Sequence, residues 1–267
     1  MMFKKIGKIS LLCLFFLLAI EARTTYKYAD LPEEFIIGGH PPNIDLEHVA
    51  LIVSLLDTPT EYGWLFTGTL ITPQHILTVA QATTGFYRWK VGLGNINRLM
   101  MTFYTAASAT IHPNFNPVNL NNNLAILLLT QSIPEAIATP VQLPPDNLAP
   151  ASAYLYYGFG TTDPTSADNL PNVLQQAVAV ELPLNECRQV YGNQLITDAT
   201  WCSRPAINDG LCYGDQGGPL VHFLDHYLVA IASFWMPPCN SNHPNVFVRI
   251  SHYRQWINET VGWPIEV

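Results

Sequence analysis

Apolar residues gather along this chain in short blocks instead of long stripes. Val49–Leu56 and Trp64–Ile71 are two such blocks, parted by a turn around Asp57-Thr58-Pro59, and Ile76–Val79 follows the turn Thr72-Pro73-Gln74. Apolar runs of this length between turn-forming residues predict strands. Leu174–Leu182 alternates as a half-buried strand does, whereas Leu184–Tyr191 predicts a short helix or turn. Helical periodicity is scarce until the end, where Tyr253, Trp256, Ile257, Thr260 and Val261 fall at i, i+3, i+4, i+7 and i+8 and predict a C-terminal helix. Between Thr139 and Pro150 stand four prolines, which reads as a strap between two lobes. With no internal repeat or low-complexity tract, the pattern predicts an all-β, barrel-forming chain.

Composition narrows the setting. The chain has 267 residues, enough for one large two-lobed domain. Residues 1–22 have the layout of a secretory signal peptide: Lys4, Lys5 and Lys8, then an apolar run from Ile9 to Ile20, then the small residues Ala19 and Ala22. That run is too short to span a bilayer comfortably, so a soluble, secreted protein is expected. Cys13 leaves with the signal, and Cys187, Cys202, Cys212 and Cys239 remain, an even set suited to two disulfides of open connectivity. From Ile36 onward there are 7 Lys and Arg against 16 Asp and Glu, a net charge of −9 with histidine neutral. An acidic surface of that kind argues against nucleic acid, heparin-like polymers and anionic membranes as partners.

The most specific stretch is Cys212-Tyr213-Gly214-Asp215-Gln216-Gly217-Gly218-Pro219-Leu220. It resembles the active-site loop of the chymotrypsin/trypsin family of serine proteases, Cys-x-Gly-Asp-Ser-Gly-Gly-Pro-Leu, at every position but the nucleophile. Gln216 stands in the place of the serine, and an amide cannot form an acyl-enzyme. The block Ile76-Leu77-Thr78-Val79-Ala80-Gln81-Ala82 is similar to the family's Leu-Thr-Ala-Ala-His-Cys segment, which puts Gln81 in the histidine position. Glutamine accepts no proton at neutral pH. Asn121-Asn122-Asn123-Leu124-Ala125 resembles the segment that delivers the aspartate, and Asn123 takes that place. His112, in a family-like surface loop, reads as a loop residue and not a replacement base. No other nucleophile stands in an equivalent loop.

The resemblance carries further expectations. It implies the pairings Cys187–Cys202 and Cys212–Cys239. Two more family disulfides have lost both ends, at Phe66 with Ala82 and at Tyr154 with His222. Residues 23–35 correspond to a propeptide ending before Ile36-Ile37-Gly38-Gly39, and a freed Ile36 amino group would pair with Asp215. Phe35 precedes that bond, so a trypsin-like activator should not cut it. The backbone amides of Gly214 and Gln216 stand where the family forms its oxyanion hole. At the specificity pocket the floor is Gly210, and two wall glycines are replaced, one by Trp235 or, with a shift of one residue, Met236, the other by Asn245. A blocked pocket is expected.

The fold implied is two six-stranded antiparallel β-barrels of the trypsin-like kind with a C-terminal helix, within residues 36–267 and with lobes at about 36–138 and 151–250. The sequon Asn258-Glu259-Thr260 fits N-linked glycosylation but falls in the predicted helix. His222 and His226 sit close together in a hairpin without further ligands at metal-site spacing, so neither metal nor cofactor is expected. The function expected is that of a secreted, proteolytically inactive homologue, a monomer that binds proteins. The alternatives are an enzyme of unusual residual hydrolysis, a cofactor of an arthropod protease cascade, or a plain carrier. Lack of a clip-type N-terminal module argues against the melanisation cofactors. Complete triad loss with a reduced disulfide set is similar to the inactivated protease paralogues of parasitic mites, which implies inhibition of host complement.

Overall fold

The structure is a computed structural model that describes residues 39, 41–42, 46–57, 63–163, 170–204, 210–239 and 242–262. The leader 1–22, the segment 23–35, Ile36 and Ile37, and Thr58 and Pro59 of the first turn lie outside the described residues. Six strands make the first lobe: β1 (Val49–Leu55), β2 (Gly63–Thr72), β3 (His75–Thr78), β4 (Arg88–Leu93), β5 (Thr102–Ile111) and β6 (Ala125–Leu129). They close as an antiparallel barrel in the order β1-β2-β3-β6-β5-β4, which leaves no edge strand unpaired. Strand β1 is buried at every position because both its faces are covered. Ala50 and Ile52 point inward beside Leu70, Ile76, Val91 and Leu127, while Val49 and Leu51 face the second lobe's Leu155, Tyr157 and Val221.

The second lobe holds β7 (Tyr154–Gly158), β8 (Gln175–Ala179), β9 (Glu181–Leu182), β10 (Thr200–Ser203), β11 (Pro219–His222), β12 (Leu228–Phe234) and β13 (Asn245–Arg249). Their order is β8-β7-β11-β12-β13-β10-β9, seven segments where six strands are expected. The extra one arises because the run Leu174–Leu182 breaks at Val180, whose side chain is turned to solvent and whose carbonyl accepts from Arg204 N–H. As β8 and β9 are one stretch of chain, pairing with β7 on one side and β10 on the other, the sheet curls back on itself as a six-run barrel. Its interior is aromatic: Trp201 meets Tyr154 at 5.1 Å and Phe247 at 5.3 Å, both edge to face.

Ring packing fills the two places that lack cysteines. Phe66 meets Phe86 edge-on at 6.1 Å above the fully buried Ala82. Tyr154 pairs in register with His222, their rings 5.9 Å apart, and His222 Nε2–H donates to Ala149 O in the strap at 3.2 Å. The disulfides Cys187–Cys202, at helix α1 (Leu184–Tyr191), and Cys212–Cys239, at the specificity-pocket region, are both formed.

Helix α2 (Ile250–Val261) buries Ile250, Tyr253 and Ile257 against Leu77, Val79 and Leu124 of the first lobe and Leu228, Ile231 and Val248 of the second. It seals the seam between the lobes. Thr260 departs from the expected apolar stripe: its hydroxyl donates to Trp256 O at 2.7 Å.

Candidate functional site

The loop from Cys212 to Gly218 crosses the seam between the barrels, and its geometry demands glycine at two points. Gly214 has φ +101° and Gly217 φ +86°, conformations that L side chains rarely adopt. A Cβ on Gly217 would also collide with Thr67 O and Thr78 Oγ1. Asp215 is fully buried; its Oδ1 accepts from Gly160 N–H and its Oδ2 from Cys212 N–H, each at 2.8 Å. Gly158 and Gly160 are the residues that let the β7 end approach this carboxylate, since a Cβ on either would strike it. The pairing of Asp215 with Ile36 lies outside the described residues.

The first lobe grips this loop through Thr67 on β2. Its N–H donates to Gln216 O at 3.0 Å, its Oγ1 donates to Gly214 O at 2.8 Å, and the same oxygen accepts from Phe159 N–H at 3.2 Å. Thr78 Oγ1 in turn donates to Thr67 O at 2.9 Å. Sequence reasoning passed over both threonines. The available signal was a hydroxyl side chain, Thr67, inside the largely apolar block Trp64–Ile71.

Gln81, in the short turn Ala80–Ala82, and Asn123, just before β6, come together as their motifs imply. Asn123 is fully buried; its Nδ2 donates to Gln81 Oε1 at 2.8 Å and to Ser233 Oγ at 2.9 Å, and its Oδ1 accepts from Gln81 N–H at 3.3 Å. This is an amide network laid over the histidine–aspartate arrangement, with Ser233 as a third member that sequence reasoning did not single out. Primary amides neither give nor take a proton near neutral pH, so the network holds shape without supplying a base.

Gln216 turns away from that network. Its Oε1 accepts from Gly214 N–H at 3.1 Å, and no hydrogen bond among the described residues joins it to Gln81. Gly214 N–H is one of the two donors that the resemblance assigns to an oxyanion hole, and it is already engaged by the Gln216 side chain.

Where the resemblance places a specificity pocket, Gly210 is buried and Asn245 Oδ1 accepts from Leu211 N–H at 3.3 Å, tying that wall to the floor. The Trp235 indole meets Tyr213 edge-on at 5.4 Å and packs against the Cys212–Cys239 disulfide, with its Nε1 enclosed and without a hydrogen-bond partner among the described residues. Met236 follows at the rim, half-buried. Beside the amide network a small cleft is lined by Leu120, Asn122, Leu195, Ser233, Phe234 and Tyr253. Tyr253 OH donates to Asn122 Oδ1 at 2.9 Å, and burial pushes this phenol up to about 12.

Among the described residues, His112 forms no hydrogen bond to the amide network. His112 packs its ring against Tyr253 at 5.3 Å and Trp256 at 5.0 Å; burial, then the neighbouring His252, lowers it from the usual imidazole value. Among the described residues no group of three or more His, Cys, Asp or Glu is placed to hold a metal ion.

A model of the trypsin family matches residues 36–257. Among curated proteins, the chain is 31% identical over 202 residues to brachyurin from Leptuca pugilator, covering 73% of this chain and 87% of the relative. It is 27% identical over 253 residues to the thrombin-like enzyme bhalternin from Bothrops alternatus, covering 90% and 92%, and 28% identical over 199 residues to trypsin from Sus scrofa, covering 73% and 84%. Among solved structures, HL collagenase superposes with a TM-score of 0.75 at 23% identity, over 85% of this chain and 99% of that one. GrC does so at 0.76 and 21% identity, over 85% and 100%.

Proposed function

The chain belongs to the trypsin family of serine proteases, and on that premise we propose that it is a secreted member that has lost hydrolysis and acts by binding another protein. The observation that carries this is the hydrogen bond from Gly214 N–H to Gln216 Oε1. One substitution thus removes the nucleophile and fills the position where a substrate's oxyanion would be held. Gln81 and Asn123 supply no base and no carboxylate, so restoring a serine alone would leave it unactivated. Trp235 and Asn245 narrow the pocket that would receive a substrate side chain, which is why binding is assigned to the outer loops and not to the cleft. Loops whose ends are pinned by a rigid barrel suit that task.

Two disulfides support an oxidising, extracellular setting. The partner is a protein with basic patches, matched to the net charge of −9 from Ile36 onward. A component of a host protease cascade, such as complement, fits the likeness to inactivated paralogues of parasitic mites, with this chain as decoy or inhibitor. The test is a plasma pull-down with the wild type and with Gln216→Ala/Gln81→Ala, at low and high salt. Equal capture by both, weakened as salt shortens the Debye length below its physiological value of about 8 Å, is expected. Loss of capture by a folded double variant would place binding in the degenerate triad and refute the outer-loop assignment; cleavage of the captured protein would refute loss of hydrolysis.

A further inference from the structure

The sequon Asn258-Glu259-Thr260 lies in the last turns of α2, and a helix fixes which of its atoms face out. The packed stripe of α2 is Ile250, Tyr253 and Ile257, whereas Gln255 and Glu259 are exposed and joined to each other, Nε2 to Oε1, at 2.8 Å. Asn258 stands on the border between these faces. Its Oδ1 is enclosed, one turn from Arg254, whose Nη1 pairs with Asp146 at 3.2 Å. Its Nδ2 is not among the enclosed atoms and forms no hydrogen bond within the described residues. The amide is thus held with its carbonyl inward and its nitrogen outward. Thr260, the residue that completes the acceptor pattern, has its Oγ1 bonded to Trp256 O at 2.7 Å, so after folding it makes no claim on the asparagine.

We propose that Asn258 carries an N-linked oligosaccharide projecting from the end of α2. The donor is a lipid pyrophosphate-linked oligosaccharide. Asn258 Nδ2 forms a bond to the anomeric carbon as the bond from that carbon to the pyrophosphate oxygen breaks; Nδ2 gives up one of its two hydrogens as a proton, and the lipid pyrophosphate leaves with the bonding electrons. Oδ1 is untouched, so the folded helix accepts the modification without turning the amide over. A glycan here would shield the outer face of α2. The inference rests on the secretory route proposed above.

The experiment is to express the full chain in insect cells and collect it from the medium. Enzymatic release of N-glycans should lower the mass and convert Asn258 to aspartate in the corresponding peptide. Asn258→Gln and Thr260→Ala should abolish both signals, and Thr260→Ser should retain them. A secreted wild type whose mass is unchanged by the treatment overturns the inference alone, as does a glycan that persists in Thr260→Ala. A chain retained in the cell with residues 1–22 attached overturns the secretory reading together with it.

Discussion

Stepwise restoration of the triad gives the sharpest test of the amide network. Asn123 already makes the three contacts that an orienting aspartate needs, to Gln81 N–H at 3.3 Å, to the Gln81 side chain at 2.8 Å and to Ser233 Oγ at 2.9 Å. Replacing it by aspartate exchanges the Nδ2 donor for an acceptor that can take a bond from an imidazole N–H and from the Ser233 hydroxyl. In serine proteases, loss of serine or histidine each costs about 10⁶-fold in kcat. An amide in place of the aspartate costs about 10⁴-fold by holding the wrong tautomer. Gln216→Ser alone should therefore stay at the floor. Adding Gln81→His should raise acylation by about 10²-fold, the part that survives a wrong orienting group. Adding Asn123→Asp should raise it by a further 10⁴-fold or so, about 5.5 kcal/mol of barrier. The assay is burst kinetics with a small activated ester, together with fluorophosphonate labelling, on a chain beginning at Ile36. Peptide substrates should remain uncut while Trp235 and Asn245 stay in place. The reasoning fails if the parent or Gln216→Ser labels stoichiometrically at the rate of the triple variant, or if the folded triple variant does not label.

Three further outcomes follow from the packing. Burial, and after it the neighbouring His226, lowers His48 to about 4, so the unfolded chain binds a proton that the folded chain refuses; stability should be level above about pH 6.5 and fall by roughly 2–3 kcal/mol as pH drops to 4, a slope that urea titrations should find reduced in His48→Gln. Thr67→Ala removes a donor to Gly214 O and an acceptor for Phe159 N–H in a fully buried place, and should cost about 1–3 kcal/mol by urea unfolding, with Thr67→Ser recovering most of it. The Cys212–Cys239 bridge spans 27 residues, and replacing both cysteines by serine should cost about 3–4 kcal/mol and loosen the Trp235 environment, seen as a shift in its fluorescence.

Much of this protein is legible in one dimension. Short apolar blocks parted by turn residues determine the strands, because a barrel strand needs only local alternation or full burial and a nearby turn. Gln81, Asn123 and Gln216, the positions that the resemblance sets in the triad's places, are each picked out by a flanking motif. What those residues do to one another is not legible in that way. Asn123 meets Gln81 across 42 positions and Ser233 across 110, and Thr67 reaches Gly214 across 147. The first of these bonds exists only once the first barrel has closed, and the other two only once the second lobe has docked on it. The orientation of Gln216 toward Gly214 is local in sequence, yet the left-handed turn at Gly214 that permits it is held by Thr67 from the other lobe. The break at Val180 likewise follows from the second barrel having to share one run of chain between β7 and β10, a demand of closure that no local pattern carries. Composition and motif thus determined the fold, whereas the engaged amide, the threonine grip and the outward nitrogen of Asn258 were decided by tertiary packing, which alone sets distances between residues far apart in the chain.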